Sequence, residues 1–236
     1  MTVMTQGLHH VTAIAGAPQR NIDFYITGLG LRLVKKTVNF DDPGTYHLYY
    51  GDEAGRPGSL ITFFPWRGIQ QGRVGADPEQ TIALLTNDLG LTIVDESASR
   101  TRLAAGDGSA GTIVDVIGSS LAPDGLGAGG TVHHIAFRVP DHATQAAWRE
   151  ELVGKGHQVT GILDRQYFTS IYFREPGGVL FEIATDTPGF DIDEPLLELG
   201  RSLKLPPWLE PSREQIEHSV AQITLPEENN PALDAA

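Results

Sequence analysis

Two histidine pairs occur at matching places in the sequence, His9-His10 and His133-His134, and a glutamate, Glu182, lies in an apolar run further on. Two imidazoles and one carboxylate form the facial triad that binds non-haem iron(II). A single histidine beside an apolar run is usually a hydrogen-bonded core or surface residue, and a single glutamate in a strand usually faces water. The repetition of the histidine pair is what favours a metal site. The chain has no cysteine, so thiolate ligands and a cysteine nucleophile are excluded.

The histidine pairs belong to a longer internal repeat. Leu-His-His-Val-Thr-Ala at 8–13 is echoed by Val-His-His-Ile-Ala-Phe at 132–137. Each copy continues with apolar residues at helical spacing and closes with a strand that begins near a glycine, at Gly58 or Gly178. The order strand, helix and three strands predicts two βαβββ units, at about 7–66 and 131–185.

A partial third copy lies between the two complete units. A helix is predicted to follow Asp77, the expected N-cap, and strands follow at 89–94 and 111–116. The opening strand is missing, because residues 68–75 are polar and rich in glycine. We therefore divide the chain into a first unit (1–66), a partial middle unit with linkers (67–130), a last unit (131–190) and a C-terminal helical tail (191–236).

Strand alternation predicts which side chains face inward. Phe137 and Val139 form an apolar face that should lie under the helix of the last unit, so His134 points to the other face. The same alternation, applied to the predicted strands that contain His10 and Glu182, places both side chains on the face away from the helices. The predicted fold class is α+β, with paired units forming a cupped, barrel-like mixed sheet and the helices outside. The three polar side chains would then converge inside the cup.

Alignment of the closing strands sets Thr62 of the first unit against Glu182 of the last. A threonine hydroxyl is a poor ligand for a divalent metal, so one side of the predicted metal site should stay open. An open side suits the binding of a substrate beside the metal.

The overall charge argues against nucleic acid as a partner. The formal net charge is −13, and Lys35-Lys36 is the only doublet of basic residues. We interpret that doublet as part of a solvated strand face. The sequence shows neither an apolar run that could cross a membrane nor an N-terminal signal, so a cytoplasmic location is expected.

The sequence resembles the vicinal oxygen chelate superfamily, also described as glyoxalase/bleomycin resistance/dioxygenase proteins. Within it, the chain is similar to dioxygenases that cleave hydroquinone-type rings. The resemblance covers nearly the whole chain, and the segments that carry it are 7–13, 38–50, 61–66, 131–140, 164–186 and 203–211. Family members of this kind normally have four units, so the second unit and the opening strand of the third are missing here. The join falls near Gly72.

The resemblance implies roles for several residues. The second histidine of each pair and the closing glutamate, His10, His134 and Glu182, are the implied ligands of iron(II), with manganese(II) as the alternative metal. Further site residues are implied as well, namely Thr12, His133, Arg165 and Tyr172. His9 is a weaker candidate because its strand position faces the helices.

Three functions are compatible with the sequence and the resemblance. The first is an iron(II)-dependent, extradiol-type dioxygenase that cleaves hydroquinone or catechol rings with dioxygen. The second is a protein that binds and sequesters an aromatic compound without catalysis. The third is a metal-dependent lyase or isomerase of the glyoxalase type, which normally has a fourth protein ligand where Thr62 stands. Asp115 is the next candidate carboxylate if Glu182 is not a ligand.

The partial middle unit also suggests an assembly. Its apolar residues, among them Leu84, Ile93 and Val94, need a partner surface, and its usual partner unit is absent. A homodimer joined through the middle unit would cover them symmetrically.

Overall fold

The computed structural model describes residues 4–73, 78–118 and 125–226. The strands are β1 (Leu8–Ala15), β2 (Arg32–Asn39), β3 (Asp42–Gly51), β4 (Leu60–Pro65), β5 (Thr92–Ser97), β6 (Arg100–Ala104), β7 (Ile113–Ile117), β8 (Val132–Val139), β9 (Leu163–Asp164), β10 (Thr169–Arg174) and β11 (Leu180–Thr185). The α-helices are α1 (Pro18–Ile22), which continues as a π-helix over Asp23–Gly28, α2 (Pro78–Asn87), α3 (His142–Gly154) and α4 (Arg213–Ser219). The expected N-cap Asp77 lies outside the described residues. None of the helices described is long and apolar enough to span a membrane.

Eight strands form one curled sheet in the order β2-β3-β4-β1-β8-β11-β10-β9. β1 and β8 pair antiparallel at the centre, and each pairs in parallel with the closing strand of its own half, β4 or β11. The first half of the sheet is β1-β4-β3-β2 and the last half is β8-β11-β10-β9, both counted outward from the centre. The corresponding strands of the two units therefore have the same order. The predicted α+β class and cupped mixed sheet are confirmed.

The alternation of side chains is as predicted. Phe137, Val139 and Ile183 pack with Trp148 and Leu152 of α3 in one buried cluster. α3 itself starts where the Asp141 carboxylate accepts a 2.8 Å hydrogen bond from the Thr144 backbone N–H. With this face of β8 and β11 covered by the helix, the intervening side chains project to the concave face.

In the last unit, the first of the three strands expected after the helix is not formed at 156–160. The Thr160 backbone N–H donates to the Tyr172 carbonyl, but the Tyr172 N–H bonds to the Thr160 hydroxyl instead of a backbone oxygen, at 3.0 Å in both cases. The side chain replaces the backbone acceptor, so the regular ladder begins only with the two-residue strand β9.

The middle segment forms a separate three-stranded sheet, β5-β6-β7, with α2 beside it. Leu84, Leu85 and Leu103 pack in the same cluster as Trp148 of α3. Much of the apolar surface of the segment is therefore buried within one chain, against the outer side of the last half. Ile93 and Val94 remain exposed.

The segment after residue 190 is less helical than its sequence suggested. Apart from α4 it contains short 3-10 turns and extended chain, part of which lies along the free edge of β2, where Leu203 bridges to Lys36. Gly200 adopts a φ of +79°, and a Cβ at this position would overlap the Leu33 carbonyl, so only glycine allows this close approach.

The interpretation of Lys35 as a solvated residue was wrong. Its side chain is fully buried, and Nζ lies 2.6 Å from both Asp193 Oδ1 and Glu194 Oε2 and 4.7 Å from the centre of the Tyr167 ring. Asp193 and Glu194 come from the segment that follows β11, and their ion pairs with Lys35 fix that segment to β2.

Candidate metal centre

Three side chains predicted as ligands meet on the concave face. His10 on β1 and His134 on β8 approach with their Nε2 atoms 3.0 Å apart, and Glu182 Oε2 on β11 lies 3.1 Å from His134 Nε2 and 3.6 Å from His10 Nε2. All three side chains are buried. They come from three adjacent strands near the centre of the sheet, so the sheet itself fixes their spacing.

The donor set fits a divalent metal. Glu182 Oε1 accepts a short hydrogen bond from the Ser170 hydroxyl, whereas Oε2 is buried and has no hydrogen-bond partner among the described residues. A buried carboxylate oxygen without a partner is costly unless a cation satisfies it. Together with two imidazole nitrogens, it forms the donor set that iron(II) and similar metals prefer.

Burial determines the charge of these groups. Burial raises the pKa of Glu182 to about 7, although the hydrogen bond from Ser170, the charge of Arg165 and the nearby Tyr172 hydroxyl favour the carboxylate. Burial lowers the pKa of His10 and of His134 well below the ordinary value of 6.5. Both imidazoles are therefore neutral at neutral pH, which is the form that binds a metal.

The first histidine of each pair supports the second. His9 Nδ1 lies 2.9 Å from His10 Nδ1, and His133 Nδ1 lies 2.8 Å from His134 Nδ1. Each Nδ1 pair leaves the Nε2 atom of the inner histidine directed at Glu182. His9, although its strand position faces the helices, thus contacts a proposed ligand as closely as His133 does.

Sequence reasoning missed two buried residues beside the site, His47 and Tyr49. A chain of hydrogen bonds leads from Tyr49 through His47 and Thr62 to Thr12 and ends at His134 Nε2, with distances of 2.8, 2.8, 2.6 and 2.7 Å. The expected open side at Thr62 therefore has no carboxylate, and the Thr62 hydroxyl is bonded to its neighbours.

The repeat contained a signal for both missed residues. Tyr49 pairs with Thr62 across β3 and β4, as Tyr172 pairs with Glu182 across β10 and β11. A tyrosine therefore occupies the same position in each half. His47, two residues before Tyr49, corresponds in the same way to Ser170, two residues before Tyr172.

Arg165 and Tyr172, both implied by the resemblance, contact each other near Glu182. Arg165 Nε donates a 3.1 Å hydrogen bond to the Tyr172 hydroxyl, and its guanidinium carbon lies 5.2 Å from the centre of that ring. Burial opposes the charge of Arg165, but Tyr172, Asp41 and Glu182 outweigh this effect and raise its pKa. Burial and the nearby Glu182 raise the pKa of Tyr172, so its phenol stays protonated.

The triad opens into a cavity of about 430 Å³. Aromatic side chains form much of its wall, including Phe40, Phe64, Trp66 and Phe168. An apolar, aromatic cavity with a few polar groups at one end suits a flat aromatic molecule with polar substituents.

Asp115, the alternative carboxylate, lies elsewhere. It is on β7 and accepts hydrogen bonds of 2.7 and 2.8 Å from the Arg102 guanidinium. It contributes nothing to the cavity.

The chain is similar in sequence and in structure to known proteins. Residues 7–183 match the family described as Glyoxalase/Bleomycin resistance protein/Dioxygenase superfamily. MhqE of Bacillus subtilis, provisionally named a ring-cleaving dioxygenase, is 40% identical over 299 residues, covering 90% of this chain and 97% of MhqE. The chlorohydroquinone/hydroquinone 1,2-dioxygenase of Sphingobium indicum is 29% identical, covering 89% of this chain and 94% of its own length.

A solved structure is also closely similar. The crystal structure of a provisionally assigned dioxygenase from Bacillus subtilis is 35% identical and superimposes with a TM-score of 0.90, covering 95% of this chain and 99% of that one. The alignment with MhqE, at 299 residues, is longer than the 236 residues of this chain. MhqE therefore contains residues that have no counterpart in this chain.

Proposed function

Because the chain belongs to the Glyoxalase/Bleomycin resistance protein/Dioxygenase superfamily, we propose that it is an iron(II)-dependent dioxygenase that cleaves hydroquinone or catechol rings with dioxygen. The observation that carries the proposal is the convergence of His10, His134 and Glu182 at one end of an aromatic cavity, where Glu182 Oε2 has no hydrogen-bond partner in the described part of the chain. Manganese(II) is the alternative metal.

The names of the relatives support ring cleavage as the reaction. One is named a chlorohydroquinone/hydroquinone 1,2-dioxygenase, and a 1,2-cleavage of hydroquinone would break the bond between a hydroxylated carbon and its neighbour. In hydroquinone that neighbour carries no hydroxyl group, so the bond lies outside any pair of hydroxylated carbons, as in extradiol-type cleavage.

The cavity would hold the ring between aromatic side chains. Phe64 and Trp66 lie on one of the halves and Phe168 on the other, so a flat ring can pack against both. This packing would exclude water from the reacting carbon atoms, since the triad is buried behind the ring.

His10, His134 and Glu182 would hold the metal, which supplies a path for electrons from the ionised ring to dioxygen. Arg165, whose charge is fixed, would stabilise negative charge that develops on oxygen. Tyr172, held by Arg165, would keep its phenolic proton directed into the cavity as a hydrogen-bond donor. His133 contacts His134 Nδ1 and would orient its ring. Thr12, whose hydroxyl lies 2.7 Å from His134 Nε2, would lie beside the metal.

The two alternative functions fit the site less well. A sequestering protein has no need of a buried glutamate with an unpartnered oxygen. Chemistry of the glyoxalase type would need a fourth ligand, and the corresponding position holds Thr62, whose hydroxyl is bonded to Thr12 and His47.

Oxygen uptake tests the proposal. The protein is reconstituted anaerobically with iron(II), desalted, and mixed with aerated hydroquinone, methyl-substituted hydroquinone or catechol. We expect one dioxygen consumed per ring cleaved, and no uptake by Glu182→Ala. Absence of uptake with every diphenol, in protein that holds one iron per chain, would overturn the proposal.

The proposal includes a homodimer joined through the middle segment. Ile93, Val94 and Ile117 on the outer strands β5 and β7 are 41%, 54% and 64% exposed, and a second copy would cover them. Light scattering at micromolar concentration should give twice the chain mass, and Ile117→Glu should reduce it to one chain. A wild-type protein that stays monomeric would refute the dimer.

A further inference from the structure

The two-residue turn between β2 and β3, Phe40-Asp41, reaches the mouth of the cavity. Asp41 Oδ2 lies 3.0 Å from Arg165 Nη1, and the Asp41 side chain is 73% exposed whereas that of Arg165 is only 17% exposed. An ion pair thus joins a turn of the first half to the site residue of the last half, at the boundary between cavity and solvent.

Arg165 lies between this turn and the reacting end of the cavity. Its Nη1 faces Asp41, while its Nε bonds to the Tyr172 hydroxyl at 3.1 Å. Asp41 is not hydrogen-bonded to any of the three proposed metal ligands in the described structure, and its ion pair with a site residue is the one with Arg165.

Arg165 is the only lysine or arginine among the described residues that line the cavity. The histidines of the wall are neutral, because burial lowers the pKa of His47, His133 and His134. Asp41, Tyr172 and Glu182 are the groups that favour the charged form of Arg165, and His47, His134 and Tyr49 also lie within its electrostatic reach. A carboxylate on an incoming ring would therefore have to compete with Asp41 for the one cationic side chain of the described cavity wall.

The entrance adds a second carboxylate. A groove outside the cavity is lined by Phe40, Asp41, Leu163, Asp164, Arg165 and Trp208. Asp41 and Asp164 line this groove together with Arg165, and carboxylates at an entrance disfavour the approach of an anionic ring.

We propose that Asp41 determines the charge selectivity of the cavity: by pairing with Arg165 it favours uncharged rings over carboxylated ones, and it positions Arg165 against Tyr172. The choice of ring ligands rests on the proposed function. The selectivity itself concerns binding and is tested without turnover.

The test compares two ligands that differ only in a carboxylate, hydroquinone and 2,5-dihydroxybenzoate. Their dissociation constants are measured anaerobically from quenching of tryptophan fluorescence, since Trp66 lines the cavity. The variants are Asp41→Asn, which removes the charge and keeps the shape, Asp41→Glu, which restores the charge, and Glu150→Gln, which removes an equal charge from the exposed face of α3.

We expect Asp41→Asn to bind 2,5-dihydroxybenzoate at least about fivefold more tightly, with a change of less than about twofold for hydroquinone. Asp41→Glu and Glu150→Gln should keep the wild-type ratio of the two dissociation constants. Salt at about 1 M should reduce the difference in this ratio between the wild type and Asp41→Asn, because salt screens exposed charges. Circular dichroism checks that each variant is folded.

An unchanged ratio in Asp41→Asn, with hydroquinone still bound, would overturn the selectivity and leave the proposed function intact. An equal change in Glu150→Gln would also overturn it, because the effect would then be one of net charge alone. Failure of the wild-type protein to bind either ring would instead contradict the proposed function and, with it, this role for Asp41.

Discussion

Thr62 and Glu182 occupy equivalent positions in the two halves of the sheet. In the parallel pair β1–β4, His10 is aligned with Leu60, two residues before Thr62; in the pair β8–β11, His134 is aligned with Leu180, two residues before Glu182. The two halves thus place a hydroxyl and a carboxylate at the same distance along the strand from a histidine. This asymmetry gives the proposed metal three protein ligands and leaves one side of it for substrate.

Replacing Thr62 by glutamate should close that side. The new carboxylate would complete a fourth ligand position, so metal should be retained while oxygen uptake falls by at least about 100-fold. Metal content and oxygen consumption are measured on the same sample. Thr62→Val serves as the control, since it removes the bonds to Thr12 and His47 without adding a ligand. Full activity in Thr62→Glu would show that substrate does not use this side.

Tyr172→Phe should keep the metal and lower turnover. The substitution removes only the phenolic hydroxyl, which bonds to Arg165, and loss of one positioned donor typically lowers kcat by about 100- to 1,000-fold. Steady-state oxygen uptake gives kcat and KM. Tyr25→Phe, on the outer side of the first half, is the matched control. Unchanged kcat in Tyr172→Phe would exclude the phenol from the reaction.

Metal affinity should rise with pH and level off near pH 7. Burial raises the pKa of Glu182 to about 7, whereas His10 and His134 are already neutral because burial lowers the pKa of each. Binding between about pH 5 and 7 should therefore release about one proton, and the logarithm of the affinity should rise by about one per pH unit. Competition with a chelator of known affinity measures the metal affinity at each pH.

Two comparisons check this assignment. Glu182→Gln should bind metal weakly and without that slope, and a slope near three in the wild type would mean that the histidines are protonated too. In the metal-free protein the sign for stability is opposite. The folded state holds a proton on Glu182 that the unfolded state releases above its ordinary pKa of 4.5, so the contribution of Glu182 to stability decreases as the pH rises from 4.5 through 7.

Lys35→Met should destabilise the protein by about 3 kcal/mol, because it leaves Asp193 and Glu194 without the buried cation that pairs with them. Urea denaturation of the metal-free protein measures the free energy of unfolding. Lys36→Met is the matched control, since Lys36 is half-buried and bonds only to the Arg201 carbonyl through Nζ. Equal stability of the two variants would show that the buried ion pairs contribute no net stability.

The repeat and the alternation of side chains sufficed to predict the sheet and the positions of His10, His134 and Glu182. These predictions depend on neighbours within one strand, where apolar and polar residues alternate visibly. The environment of Lys35 could not be predicted in this way, because its partners Asp193 and Glu194 lie 158 and 159 residues away in sequence. The pairing of Asp41 with Arg165 likewise depends on how the two halves meet.

His47 and Tyr49 were missed for a different reason. Tyr-His-Leu-Tyr-Tyr at 46–50 reads as a largely apolar strand, and nothing within it shows that His47 meets Thr62 of the next strand. The position of Tyr49 opposite Thr62 would have followed from the repeat, had the pairing of the inner strands been aligned as the closing strands were.

Metal retention by the ligand variants tests the central claim most directly. The wild-type protein and the variants His10→Ala, His134→Ala and Glu182→Ala are each reconstituted anaerobically with iron(II), desalted and analysed for iron by mass spectrometry. We predict about one iron per wild-type chain and almost none in each variant, since two remaining ligands seldom hold iron(II) firmly. Wild-type protein without iron, or Glu182→Ala with its iron retained, would contradict the account.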